Sequence, residues 1–265
     1  MVDLTKEQEE QYNKIMSKVN LSKDKEAISE HVVNLSKCMV NLSKHNDIDL
    51  GGQVARVITA LDYSGSMREL YEDGTIQQTL NKLMPIGLSF DDNGEIEMHL
   101  FSDNDTVMPV LTLENYSSYK TEIIDKANIA MMGTEYSHVI NNILNDTDKL
   151  DVIKHNKSIF RKIIGNKKDD GETVFIIFIT DGEPSDKEKA REIVRKSSYA
   201  NVFIQFIGIG DNKFRFLNSL DTMTTGKVNN TGFTNMGDLR SVGDETLYNT
   251  VLSDFSRWLK ERESK

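Results

Sequence analysis

The chain has 265 residues, but a single cysteine, Cys38, and only three prolines. One thiol excludes an internal disulfide framework and any zinc site built from cysteines. A lone thiol suits a reducing compartment. So few prolines, with 38% hydrophobic residues, argue against a long disordered tail and for a chain that can bury a core. Long apolar runs are also missing, since nothing approaches the roughly 18 residues that a membrane span needs. Met1 to Lys14 is charged from its start and has no apolar h-region. No signal peptide is therefore expected, and the expected location is cytoplasmic. Nor is there an excess of positive charge. The formal net charge is −10, whereas a nucleic-acid surface needs clustered Lys and Arg.

The first 50 residues lack glycine and proline, and Tyr12 is their one aromatic. Residues 5–18 are rich in Glu, Gln and Lys, as a solvated helix is. From Asp24 to about His45, Ile28, Val32, Leu35, Met39 and Leu42 fall three and four apart, which predicts one face of an amphipathic helix. Val-Asn-Leu-Ser-Lys occurs at 19–23, 33–37 and 40–44. A seven-residue offset keeps copies on one helix face, as a packing seam would. A chance echo and a short strand are the alternatives. Gly51-Gly52 then marks a boundary, dividing a helical N-terminal segment (1–50) from the main domain (51–265).

Beyond that boundary, apolar runs alternate with helical patterns. Strands are predicted at Val54 to Leu61, Glu95 to Phe101, Thr106 to Leu111, Thr173 to Ile179 and Val202 to Ile209, with a weak edge strand near Lys227 to Asn229. The run Thr-Val-Phe-Ile-Ile-Phe-Ile at 173–179 fits a central parallel strand buried on both faces. Helices are predicted over Thr75 to Leu88, 114–128, 136–165, Asp186 to Ser198, Lys213 to Leu220 and Asp244, as a cap, to about Arg262. Strands alternating with helices predict an α/β fold: a central, mostly parallel sheet flanked by helices on both faces.

Sheets of this kind bind ligands outside the carboxyl ends of their strands. Asp62-Tyr63-Ser64-Gly65-Ser66 follows the first strand, and Thr180-Asp181-Gly182-Glu183 follows the strand at 173–179. Met132-Gly133-Thr134-Glu135-Tyr136 lies between them, as a glycine loop leading into a helix. Ser64 and Ser66 are two apart on a loop, so both hydroxyls can turn to one point, and Thr134 can add a third. Asp62 and Asp181 supply negative charge. These hard oxygen donors suit Mg²⁺, or Ca²⁺ or Mn²⁺, rather than zinc or copper. Neutral hydroxyls would leave coordination positions for water and for an acidic group from a partner. Each motif taken alone is most often just a turn. The three in order at strand ends carry the inference.

On these three motifs, residues 54–262 resemble a von Willebrand factor A (vWA) domain with its metal-ion-dependent adhesion site. Within that superfamily the chain is most similar to the bacterial tellurium-resistance and stress-response group, the TerF-like kind. Gly133-Thr134-Glu-Tyr136-Ser, Phe203 to Gly210, Leu220-Asp221 and Trp258-Leu259 support this. The resemblance implies a Rossmann-like fold and a non-enzymatic protein–protein interaction module. Ser64, Ser66 and Thr134 would contact a Mg²⁺-like ion directly, and Asp62 and Asp181 would act through water. A protein partner would supply an acidic residue to the metal. Tyr63 and Met132 depart from the family pattern, at the rim rather than among the ligands.

A phosphotransferase with Asp62 as nucleophile would need a carboxylate two residues on, where Ser64 stands. A scaffold acting through its N-terminal helix is the other rival. Gly208-Ile-Gly210-Asp211 lacks the third glycine of a dinucleotide-binding turn, because position 213 is Lys. The five histidines show no ligand spacing. Lys154, Lys157, Arg161, Lys162, Lys167 and Lys168 read as a solvated helix face, and Met131-Met132 as core.

Overall fold

The computed structural model describes residues 4–19, 25–157, 171–210, 212–223 and 229–263. Six strands form one sheet: β1 (Ala55–Asp62), β2 (Ile96–Phe101), β3 (Asp105–Leu111), β4 (Thr173–Thr180), β5 (Val202–Gly208) and β6 (Thr231–Asn235), in the order β3-β2-β1-β4-β5-β6. All neighbours are parallel except β2 and β3. From β1 the chain builds outward to one side through β2 and β3. It then crosses back and builds to the other side from β4. The order therefore reverses between β1 and β4, where open sheets of this class hold their ligands.

The helices are α1 (Lys6–Ser17), α2 (Lys25–Asn46), α3 (Arg68–Glu72), α4 (Thr75–Phe90), α5 (Ser137–Asp146), α6 (Lys149–Lys157), α7 (Lys187–Ser197), α8 (Arg215–Asp221) and α9 (Asp244–Glu263). Strand residues alternate between two cores. Val57, Leu61, Phe175, Ile177, Ile179 and Phe203 join one built with α1, α2, α4 and α9. Ile58, Ala60, Ile176, Phe178, Ile204 and Phe206 join another built with α5, α7 and α8. The N-terminal helices share the first core, with Ile15, Ile28, Val32, Leu35 and Met39 buried in it. Their link to α9 is also polar. His31 Nδ1 and Asn34 Nδ2 both meet Asp244 Oδ2, at 2.5 and 3.3 Å, and Asn46 Nδ2 donates to Ser256 Oγ at 2.6 Å. Asp244, expected as a cap, is the first residue of α9 and is turned toward α2 instead.

The two repeat copies at 33–37 and 40–44 lie on α2, and their leucines, Leu35 and Leu42, are both buried. The seven-residue offset thus serves one packing face, and neither copy is a strand. Of the first copy only Val19 is described. Three expectations need correction. Residues 114–128 are not a regular helix but a 3-10 turn (Tyr116–Ser118) and a wider π turn (Lys120–Ile124). Gln77 of α4 captures this segment, donating to Tyr116 O at 2.6 Å and accepting from Lys120 N at 2.9 Å, and the Tyr119 hydroxyl ties it to Pro109. The edge strand is Thr231–Asn235, a few residues beyond its expected place; residues 224–228 lie outside the described set. Met132 is 53% exposed rather than core, whereas Met131 is partly buried. The cations at 161, 162, 167 and 168 also lie outside the described residues, and Lys154 pairs locally with Asp151 at 3.2 Å.

Candidate metal centre

The register sets Leu61 of β1 beside Ile179 of β4, so Asp62 and Thr180 leave the sheet side by side. The Thr180 hydroxyl donates to Asp62 Oδ2 at 2.6 Å, and the Ser64 N–H donates to Asp62 Oδ1 at 2.8 Å. Asp62 is fully buried, and its carbonyl accepts from the Tyr71 hydroxyl at 2.9 Å. This carboxylate orders the start of the loop. Gly65–Met67 then makes one 3-10 turn that brings Ser64 Oγ and Ser66 Oγ to 3.1 Å. The Ser66 hydroxyl donates to Asp181 Oδ1 at 2.8 Å. Asp62, Ser64, Ser66 and Asp181 thus form one hydrogen-bonded path across the switch point, running from buried Asp62 to solvent-exposed Ser66.

Thr134 joins through its backbone. Ser64 and Met132 form an isolated parallel bridge, and Gly65 N–H donates to Met132 O at 3.1 Å. Ser185, on the loop after β4, donates to Thr134 O from its N–H at 2.9 Å and from its hydroxyl at 3.1 Å. No hydrogen bond links the Thr134 hydroxyl to the other four residues. The three sequence motifs therefore converge on one loop cluster, with four of the five named side chains in a continuous network and the fifth residue tied to it through its backbone.

Two carboxylates here share a site without a countercharge. Burial pushes Asp62 up to about 6, opposed by its hydrogen bonds from Thr180 and Ser64 and reinforced by the charge of Asp181. Burial also raises Asp181, with the Ser66 hydroxyl opposing. Among the described residues no lysine or arginine forms an ion pair with either. No group of three or more His, Cys, Asp or Glu side chains suited to a metal occurs among the described residues. A metal here would therefore rely on the hydroxyls. The donor set, two carboxylates with serine and threonine oxygens, fits Mg²⁺ and its hard relatives.

Some residues at the site carried no role in the sequence. Thr180 is one, a lone hydroxyl closing a run of Val, Phe and Ile. It accepts from Gly182 N–H at 3.2 Å and from the Tyr136 hydroxyl at 3.2 Å while it holds Asp62. Its signal was available, since a polar residue at the end of a fully buried strand needs a partner. Asn212 Nδ2 holds the Asp181 carbonyl. Beside it a cleft of about 420 Å³ is lined by Glu183, Asn212, Lys213, Phe214 and Arg215, with Lys213 and Arg215 exposed. Tyr63 is half-buried and stands edge-on to Tyr71, their ring centroids 5.0 Å apart, so it props the loop as well as edging the site. Gly208 receives the Phe214 ring, and Gly210 N–H bonds Gly237 O at 2.8 Å, so that glycine pair is a backbone turn. Three histidines meet carboxylates: His31 with Asp244, buried His99 with Asp105 and His138 with Glu135. None of these three lies in the cluster.

Residues 54–265 match the vWA-TerF-like family, described as the vWA found in the TerF C terminus. An uncharacterized protein of Bacillus subtilis (strain 168), YcbR, is 31% identical over 212 residues, covering 80% of each chain. Among solved structures, the mussel byssus proximal thread matrix protein 1 with a zinc-occupied MIDAS motif is 17% identical with a TM-score of 0.47. The match covers 77% of this chain and 48% of that one, so this chain spans about half of the mussel protein. The manganese-loaded TRAP protein of Plasmodium vivax is 19% identical, with a TM-score of 0.47, covering 78% of this chain and 74% of that one. No helix among the described residues is long and apolar enough to cross a membrane.

Proposed function

From the premise that this chain belongs to the TerF-like vWA family, we propose that it is a non-enzymatic, metal-dependent protein-interaction module. Asp62, Ser64, Ser66, Thr134 and Asp181 would hold one Mg²⁺-like ion, with Ca²⁺ and Mn²⁺ as alternatives. When bound, that ion would offer a Lewis-acidic position to a carboxylate of the partner. The observation that carries this reading is the continuous path from Asp62 through Ser64 and Ser66 to Asp181. It brings two carboxylates that lack a cation together at the switch point.

The chain's own residues divide the work. Asp62 sets the loop, having spent one oxygen on the Ser64 N–H and the other on Thr180. Phosphotransfer is disfavoured because the position two residues on, where its acid/base carboxylate would stand, is Ser64. Ser66 is exposed, where a partner would approach, and buried Asp181 backs it by accepting from its hydroxyl. Exposed Lys213 and Arg215 beside the Asp181 loop would draw an acidic segment toward a chain that is otherwise strongly negative. A cytoplasmic bacterial stress-response or tellurite-resistance-like system is the setting that suits the family. Affinity capture by the tagged chain with Mg²⁺, with EDTA, and with Asp181→Ala tests the reading. A partner retained only by the wild type with Mg²⁺ is expected. Capture that survives both EDTA and the substitution would end it.

A further inference from the structure

The helix that follows Thr134 has no cap of its own. Its N-cap residue is Tyr136, whose side chain turns inward, so that its hydroxyl donates to Gly182 O at 2.6 Å and to Thr180 Oγ1 at 3.2 Å. The first N–H groups of a helix need acceptors. Here both come from another element. Asp186 Oδ1 accepts from Tyr136 N–H at 3.0 Å and Asp186 Oδ2 from Ser137 N–H at 2.8 Å. The preceding residue, Ser185, donates twice to Thr134 O. A single stretch after β4, Gly182 to Asp186, thus grips the second motif at Thr134, Tyr136 and Ser137.

We propose that Asp186 is a positioning residue for the metal centre, acting through Thr134. This rests on the proposed metal site. Asp181 and Asp186 belong to the same loop, which carries a site carboxylate at one end and at the other holds the backbone of Thr134 through Ser185 and of Tyr136 and Ser137 through Asp186. The Thr134 hydroxyl has no hydrogen bond to the other site residues, so its place depends on this backbone grip. Truncating Asp186 would release the start of α5 and let Thr134 drift from Asp181.

The test is a Mn²⁺ titration of four proteins: wild type, Asp186→Ala, Thr134→Ala and the double variant. Thermal midpoints in EDTA are measured alongside, and Asp186→Asn, which keeps one acceptor, serves as a conservative control. Outer-shell partners of metal ligands typically contribute 10–100-fold to affinity. Asp186→Ala is expected to weaken Mn²⁺ binding by about tenfold in the wild-type background, a size taken from that range. It should have almost no further effect once Thr134 is alanine, and Asp186→Asn should fall between. An equal loss in both backgrounds would overturn the positioning role, as would unchanged affinity with only a lowered midpoint in EDTA. If the wild type itself takes up no Mn²⁺, the metal site falls and this role falls with it, an outcome distinct from either of those.

Discussion

Asp62 and Thr180 show how a strand end becomes a site. One carboxylate oxygen is committed to a backbone N–H and the other to a hydroxyl, so neither group is left unpaired in a dry environment. Thr180→Val keeps the shape but removes the donor to Asp62. A loss of about 1–3 kcal/mol is expected, read as a lowered urea midpoint. The charge has its own sign. With metal chelated, Asp62 titrates at about 6 when folded, against an ordinary value of 3.8. The folded state therefore holds the extra proton between those values. Its contribution to stability is fully present below 3.8 and is lost as pH rises through 6. Urea unfolding in EDTA should show this decline across pH 4–7 in the wild type, and Asp62→Asn should flatten it. Asp181→Asn keeps an acceptor for Ser66 and removes a like charge. In EDTA it should unfold no earlier than the wild type, yet it should lose the rise in midpoint that Mg²⁺ gives.

At the scale of elements, two contacts position the site. Helix α4 lies so close to β2 that a Cβ on Gly87 would sit 2.6 Å from Ile96 Cγ1 and 2.9 Å from the Glu95 carbonyl oxygen. Gly87→Ala should therefore cost about 1–3 kcal/mol by denaturant titration, because the backbone must shift. Helix α2 lies against α9 and shares its core. Deleting residues 1–46 should uncover that flank of α9 and give a chain that binds a hydrophobic dye and unfolds at lower denaturant. Much of this layout was legible in the sequence. The buried runs at 173–179 and 202–209 and the amphipathic spacing of α2 follow from hydrophobic periodicity alone. The segment at 114–128 was not legible that way, because its path is set by Gln77 and Pro109, which are distant in sequence. The exposure of Met132 was hidden for a similar reason. Its backbone is drawn to Ser64, and this leaves the side chain outside.

For the whole molecule, the five named residues were legible as three motifs, but their connection was not. Sequence placed Asp62 and Asp181 at strand ends. Only the parallel pairing of β1 with β4 makes them neighbours, and only the loops around Thr180, Ser185 and Asp186 hold the second motif against the third. The result is a sheet edge that gathers negative charge and hydroxyls at one point. Divalent-cation binding at this point is the property on which the proposed function depends. Isothermal calorimetry on the chelator-stripped chain, with Mg²⁺ and then Mn²⁺, tests it most directly when run beside Asp62→Asn and Asp181→Asn. Saturable binding of one ion per chain, abolished by both substitutions, is expected. No saturable heat in the wild type, or equal binding in all three proteins, would contradict it.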